Sequence, residues 1–439
     1  VSTGRRIVAV ADTDSYVKWA AALIGGLTEW DASLLVLETP LVVSEAQLSA
    51  AVSGSGLAAT QVSRVTWDRL AASVDGADAV LLAARGPLVR VLAREIAALS
   101  PRPVLVTGLP GISIPATRKA ISYRTQCDLF VLHSRRECRD FDALARERGM
   151  PQRFALATLP FARGGIASGP RGTDLVFAGQ AKVPAERADR VRIARLLRRA
   201  AEVDPTRRVV VKLRAGAGEQ QTHAERDAYP DLLAALGPLP PNLSTSTASM
   251  REALDTAEGL VTVSSTAAIE AVGRGIPVIA LDLFGVAPEL INEVLAEAGL
   301  LGGEDDVVAR RFRIPDPAWL EDNYFHDAAA DDWDSRLIRL IEAREAGLLV
   351  PRAPLARRGG ILRDAWERRT ALGSHDRSVS GGIALALGMP ARAAVRGARR
   401  VQAVTRGSEG TRTLEGQWPP PSSLATTRAM TTATPSSPR

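Results

Sequence analysis

Cysteine is nearly absent: Cys127 and Cys138 are the only two in 439 residues. They are too few and too poorly spaced for a disulfide framework or a zinc site, so a reduced, cytosolic setting is expected. No apolar run approaches the ~20 residues needed to cross a bilayer. Any work at a membrane is therefore expected on its inner surface, by peripheral association. The opening GRRIVAVAD imitates a signal peptide, but its apolar run stops at Asp12. No GxGxxG follows the first apolar run, which weakens a nicotinamide-binding reading. A P-loop, an HExxH helix, a nucleophile elbow and a Ser-His-Asp order are also missing, which disfavours the familiar NTPases and hydrolases. The net charge of +6 gathers at one end: residues 346–439 carry +10, leaving −4 on residues 1–345. With no recognised nucleic-acid motif either, a nucleic-acid partner is not expected.

What is present is apolar and alternating. The apolar fraction is 46%, and the length exceeds what one core holds, so two domains plus appendages are expected. Short apolar runs at 7–11, 33–37, 79–83, 104–107, 129–133 and 154–159 alternate with helical patterns at 18–27, 88–99 and 136–148. A second series has strands at 175–178, 209–213, 260–263 and 277–281, with helices at 185–202, 250–257, 266–274 and 287–298. Strand, helix, strand repeated in this way builds a parallel sheet covered on both faces. The expected fold is α/β, two doubly wound Rossmann-like domains facing a cleft. We place an acceptor domain at 1–163, a glycine-rich linker at 164–173 and a nucleotide-donor domain at 174–300. A helical crossover segment at 301–346 is expected to pass back over the first domain through residues such as Trp319, Tyr324, Phe325 and Trp333. Residues 350–439, rich in Arg, Pro, Ser and Thr, read as a largely disordered tail.

The most informative stretch is LVTVSSTAAIEAVGRGIPVIAL, 260–281, where a strand runs into Ser264, Ser265 and Thr266 at a helix start. Hydroxyls and unpaired N–H groups there, with the helix dipole, suit a phosphate. Glu270, one turn deeper, could accept from a ribose. The same residues would also serve as an ordinary helix cap with a solvated acid. At 11–20, Asp12 and Asp14 sit where the first strand enters a helix, with Ser15 able to cap it. A carboxylate there could act as general base or orient a sugar, or could simply stabilise a helix start. Gly108 and Gly111 bracket a proline at 107–120, a turn that either lets a ligand approach the backbone or only joins strand to helix. Lys212 and Arg214 near the end of a strand share one side, and charges there call for an anion. His223 follows in a polar loop with Glu219 and Gln221, in contact with ligand or merely solvated. The candidate set is thus Asp12, Asp14 and His223 for catalysis. Gly111, Gly179, Lys212, Arg214, Gln221, Ser264, Ser265, Thr266 and Glu270 are the candidates for binding, with no metal ligands.

With these residues in view, the chain resembles the GT-B-type glycosyltransferases, specifically a group of them from actinobacteria. It is more distantly similar to bacterial capsule and sialic-acid transferases, CDP-glycerol glycerophosphotransferases and nucleotide-sugar 2-epimerases. The resemblance covers roughly 5–345 and is strongest over 174–282. In those families a strand-borne Lys, commonly followed by His-Pro, precedes paired Ser/Thr, Glu, Ala and Gly-x-Pro. The second motif is intact here as SSTAAIEAVGRGIPVI, whereas Leu213 and Arg214 replace His-Pro after Lys212. Either Arg214 or His223 takes the histidine's place, or transfer has been lost. The resemblance implies a metal-independent enzyme without cofactor, whose nucleotide-sugar donor binds the second domain and whose glycan or glycolipid acceptor binds the first. A CMP-linked nonulosonic acid is then one donor to test, and the expected product is a cell-surface glycan or precursor. The alternatives are a nucleotide-sugar epimerase, a glycerol-phosphate transferase, or a non-catalytic nucleotide or glycan binder.

Overall fold

The computed structural model describes residues 4–162, 172–213 and 227–388. Seven strands form the first sheet: β1 (Arg6–Ala11), β2 (Asp31–Leu37), β3 (Val62–Val65), β4 (Ala79–Ala83), β5 (Val104–Gly108), β6 (Leu129–Leu132) and β7 (Phe154–Leu156). All neighbours pair in parallel, in the order β3-β2-β1-β4-β5-β6-β7. The central strand explains why its sequence is continuously apolar. Ile7, Ala9 and Ala11 enter the core on one face, while Val8 and Val10 enter the core on the other. Side chains alternate along a strand, so a sheet covered on both faces needs apolar residues at every position.

The second sheet repeats the plan with β8 (Asp174–Ala178), β9 (Val209–Lys212), β10 (Leu243–Ser246), β11 (Ala257–Thr262), β12 (Val278–Leu281) and β13 (Leu301–Gly302). Its order is β10-β9-β8-β11-β12-β13. Val176 and Ala178 face one core and Leu175 and Phe177 the other. Two parallel sheets flanked by helices make the α/β architecture that the strand pattern predicts.

β3, β10 and β13 are additions to that pattern. They lie at sheet edges, where VSRV and LSTS carry exposed polar residues that blur the apolar signal. Beyond β13 the chain packs on both sheets in turn. Trp319 and Tyr324 join the second sheet's core, and Trp333, Leu337 and Ile341 on the helix Trp333–Glu345 join the first. Asp332 bonds the amide and carbonyl of Leu156 beside this entry point, and Asp331 takes the Thr158 amide.

The expectation of a disordered tail from residue 350 is corrected in its first part. A helix, Gly360–Leu372, lies against the helix Gly86–Ile96, with Ala365 and Leu372 buried. Its Glu367 pairs with Arg90, Arg94, Arg357 and Arg363. Arginine-rich composition hid a helix whose charges are mostly neutralised by contacts. Residues Val1–Ala384 make one compact unit that contains both sheets; of the second, Leu385–Arg439, only 385–388 are described. Among the described residues no helix is long and apolar enough to cross a membrane.

Candidate functional site

In a doubly wound sheet, a crevice opens at the carboxyl ends of the two strands whose connections depart in opposite directions. The first sheet has that point between β1 and β4, the second between β8 and β11. A polar pair spans each of them.

At the first, Asp12 follows β1 and Arg85 follows β4. Arg85 Nε donates to Asp12 Oδ2 at 2.6 Å, and its backbone N–H to Oδ1 at 3.3 Å. Asp12 is fully buried. Burial pushes its carboxyl above the usual range, against the pull of the guanidinium. This corrects the assignment of Asp12 as a base facing the cleft: no acceptor hydroxyl reaches a carboxylate enclosed this way. It orients Arg85 instead. Asp14, partly exposed in the first turn of the helix Asp14–Ile24, stays near the surface. Thr13 occupies the N-cap position without a side-chain cap bond, so Ser15 is not the cap.

At the second, Gln180 follows β8 and Ser264 follows β11. The Gln180 amide oxygen accepts from the Ser264 N–H at 3.1 Å and from its hydroxyl at 3.2 Å. The Ser265 N–H goes to the Thr262 hydroxyl, and the Ser265 hydroxyl accepts from the Ala267 N–H. The expected cluster of open donors is therefore corrected: most of the tip's hydrogen bonds close within the turn and onto Gln180. Among the described residues only the Thr266 N–H and hydroxyl in this tip make no hydrogen bond. Gly179 gives room to an aromatic ring, since a Cβ there would lie 3.1 Å from Tyr229 Cε2.

Lys212 ends β9, buried, with its ammonium on the Leu213 carbonyl. β8 lies between β9 and β11, so two inter-strand steps, about 10 Å, separate the ends of the Lys212 strand and the hydroxyl-bearing one. Arg214, Gln221 and His223 lie outside the described residues.

Loops from the carboxyl ends of the two sheets meet. A Cβ on Gly111, after β5, would lie 2.8 Å from Thr266 Oγ1, so any larger residue there would push the Thr266 side chain aside. Lys18, on the helix after β1, reaches Glu270 at 3.6 Å, and the Glu270 side chain keeps 13% exposure. Glu137, fully buried in the first turn of the helix Arg135–Glu147, anchors the Gly111 loop. It accepts from the Ser113 amide at 2.9 Å, the His133 amide at 2.9 Å and the Tyr324 hydroxyl at 2.8 Å. Behind the loop, Trp19 Nε1 donates to His133 Nε2 at 2.7 Å, while His133 Nδ1 lies 2.6 Å from the Ala157 carbonyl. That pair of partners fixes a neutral imidazole, and burial holds its pKa below the ordinary value.

Sequence reasoning passed over Arg85, Gln180, Lys18 and Glu137. For the first two a signal existed, because each is the polar residue that ends an apolar strand run, AVLLAAR and LVFAGQ. Among the described residues no group of three or more His, Cys, Asp or Glu is placed to hold a metal ion.

The family model described as "Putative glycosyltransferase (DUF6716)" matches residues 7–340, and the chain belongs to that family. No curated protein sequence matches it. Among solved structures it is similar to the S. aureus MnaA–UDP co-structure, at 12% identity and a TM-score of 0.50, over 80% of this chain and 99% of that one. It is also similar to the pneumococcal O-GlcNAc transferase GtfA in complex with UDP and GlcNAc, at 11% identity and a TM-score of 0.44, over 78% and 96%. A third is UDP-GlcNAc 2-epimerase from Neisseria meningitidis bound to UDP-GlcNAc, at 11% identity and a TM-score of 0.42, over 78% and 100%.

Proposed function

We propose that this member of the DUF6716 family moves a sugar from a nucleotide donor held by the second sheet to an acceptor held by the first, without a bound metal ion. One observation carries the reading: the carboxyl-end loops of the two sheets meet, Gly111 against Thr266 and Lys18 against Glu270. Ligands of open α/β sheets bind at those ends, and a reactive donor needs a crevice that excludes water.

We assign the roles from residue type and position. The Thr266 N–H and hydroxyl contact donor phosphate, in a turn shaped by Ser264 and Ser265. Glu270 exchanges Lys18 for a ribose. Gly111 and Gly179 keep the backbone close to the ligand, while Lys212, Arg214, Gln221 and His223 form the candidate leaving-group side. Asp14 takes the acceptor proton as the acceptor oxygen bonds to the sugar carbon and the donor's bond to phosphate oxygen breaks, leaving the nucleotide as an anion. UDP, the ligand of the staphylococcal co-structure, joins CMP and its nonulosonic-acid sugars as the first donors to test. The acceptor is a cell-surface glycan or its precursor, met in the cytoplasm or at the inner face of the membrane.

A thermal-shift panel of CMP, CDP, UDP, GDP and their sugars on wild type, Glu270→Ala and Thr266→Val tests the site. At least one nucleotide should stabilise the wild type and lose its effect in both variants. Identical responses across the three proteins would overturn the assignment. Conversion of a nucleotide sugar with no acceptor present would favour an epimerase, and stabilisation without turnover a binder.

A further inference from the structure

We propose that Arg85 is the anchor of an oxyanion subsite on the first sheet, which selects acceptors carrying a carboxylate or a phosphate. The inference rests on the acceptor-side reading above and adds the class of acceptor.

The side chain is oriented from behind. Asp12 holds the Arg85 Nε at 2.6 Å and its backbone N–H at 3.3 Å, and Asp12 itself is fully buried. In front, neither terminal nitrogen of Arg85 has a hydrogen-bond partner among the described residues, and the side chain keeps 36% exposure. Up to four N–H donors in a fixed plane are therefore open at the β1/β4 crevice. The neighbouring arginines differ. Arg124 closes onto the Tyr16 hydroxyl and the Ala84 and Ala120 carbonyls. Arg90 closes onto the Ser122 carbonyl and Glu367. Arginine's fork matches the two oxygens of a carboxylate or phosphate, and a guanidinium that is already oriented loses little entropy on binding one.

The surroundings add to the attraction. Arg85 is the N-cap of the eleven-residue helix Gly86–Ile96, whose amino end carries partial positive charge beside the guanidinium. The Gly86 N–H and the Thr13 hydroxyl, next to Arg85 and Asp12 in the chain, make no hydrogen bond among the described residues. A neutral sugar hydroxyl would use one of these donors; an oxyanion uses the guanidinium edge as a unit.

Calorimetric titration of the full chain with D-glucuronate, α-D-glucose 1-phosphate and neutral methyl glucoside tests the subsite. UDP and CMP titrations run alongside. The wild type should bind both anionic probes better than the neutral one. Arg85→Ala should weaken the anionic probes about tenfold or more, the scale of a lost charge-assisted hydrogen bond, and leave nucleotide affinity unchanged. Arg85→Lys, which keeps the charge, should retain part of the phosphate binding and lose most of the carboxylate binding. Equal affinity of wild type for neutral and anionic probes, no measurable binding of either anion, or an unaltered Arg85→Ala would each overturn the subsite. A nucleotide affinity that falls with Arg85→Ala would also overturn it, by assigning the guanidinium to the donor. Failure of every nucleotide with anion binding intact would instead sink the transferase reading and leave the subsite standing.

Discussion

The two switch points are built alike and charged differently. In the first, a buried carboxylate holds a half-exposed guanidinium; in the second, a neutral amide oxygen holds a serine N–H and hydroxyl. A charged pair is strong only while both partners stay matched, so it fixes a side chain in one direction. The amide and serine are each able to bond with water or ligand instead, so their contact can be exchanged at small cost. The first end is thus preset toward one kind of ligand, and the second is able to rearrange around one.

Breaking both pairs should expose the difference most strongly. Asp12→Ala is expected to destabilise the fold by about 3 kcal/mol, the low end for orphaning a buried pair because Arg85 can rehydrate. Gln180→Ala should cost about 1 kcal/mol, a neutral hydrogen bond's worth. Denaturant unfolding of both variants measures this, and equal losses would end the contrast. Glycine-to-alanine substitutions come next. A Cβ on Gly108 would lie 2.4 Å from Trp19, which is tied to His133, whereas one on Gly259 would lie 2.3 Å from the half-exposed ring of Phe312. Gly108→Ala should cost about 2 kcal/mol by overpacking, and Gly259→Ala somewhat less, about 1 kcal/mol, because the Phe312 ring it meets is only partly buried.

A pH series sharpens the comparison further. His133 is held below its usual 6.5 by burial, so the unfolded chain binds more protons between the two values. Its contribution to stability is complete above pH 6.5 and is lost as pH falls through the folded value. Melting temperatures from pH 8 to 5 should drop less in His133→Gln than in wild type; parallel curves would remove His133 from the account. The smallest effect belongs to the contact between the sheets. Lys18→Ala should change stability by no more than about 0.5 kcal/mol, since the lysine is half exposed and screened. A larger loss would mean that the ion pair holds the two sheets together rather than resting between them.

The strands that build the middle of both sheets were readable because central parallel strands are apolar at every position, as IVAVA and VLLA are. Edge strands were not, since Ser63 and Arg64, or Ser244 and Thr245, face solvent and break the run. The site was readable as residue types at strand ends and unreadable as partnerships. Asp12 looked like a free acid because its partner is 73 positions away. The hydroxyls at 264–266 looked like open donors because Gln180, 84 positions earlier, left no mark near them. The helix Gly360–Leu372 was masked by its charge, which makes sense only beside the arginines of another helix.

The return of the chain to the first sheet bears on how the protein can be dissected. Trp333, Leu337 and Ile341 complete a core whose preceding member in the chain is Ala157. A gene cut at the linker would strand that face of the sheet in water, and the fragment should collect in inclusion bodies. Even a discontinuous half, 4–162 joined to 331–384, would uncover Ile114, Leu159 and Ala162, which pack in the second sheet's core, and would leave buried Glu137 without Tyr324.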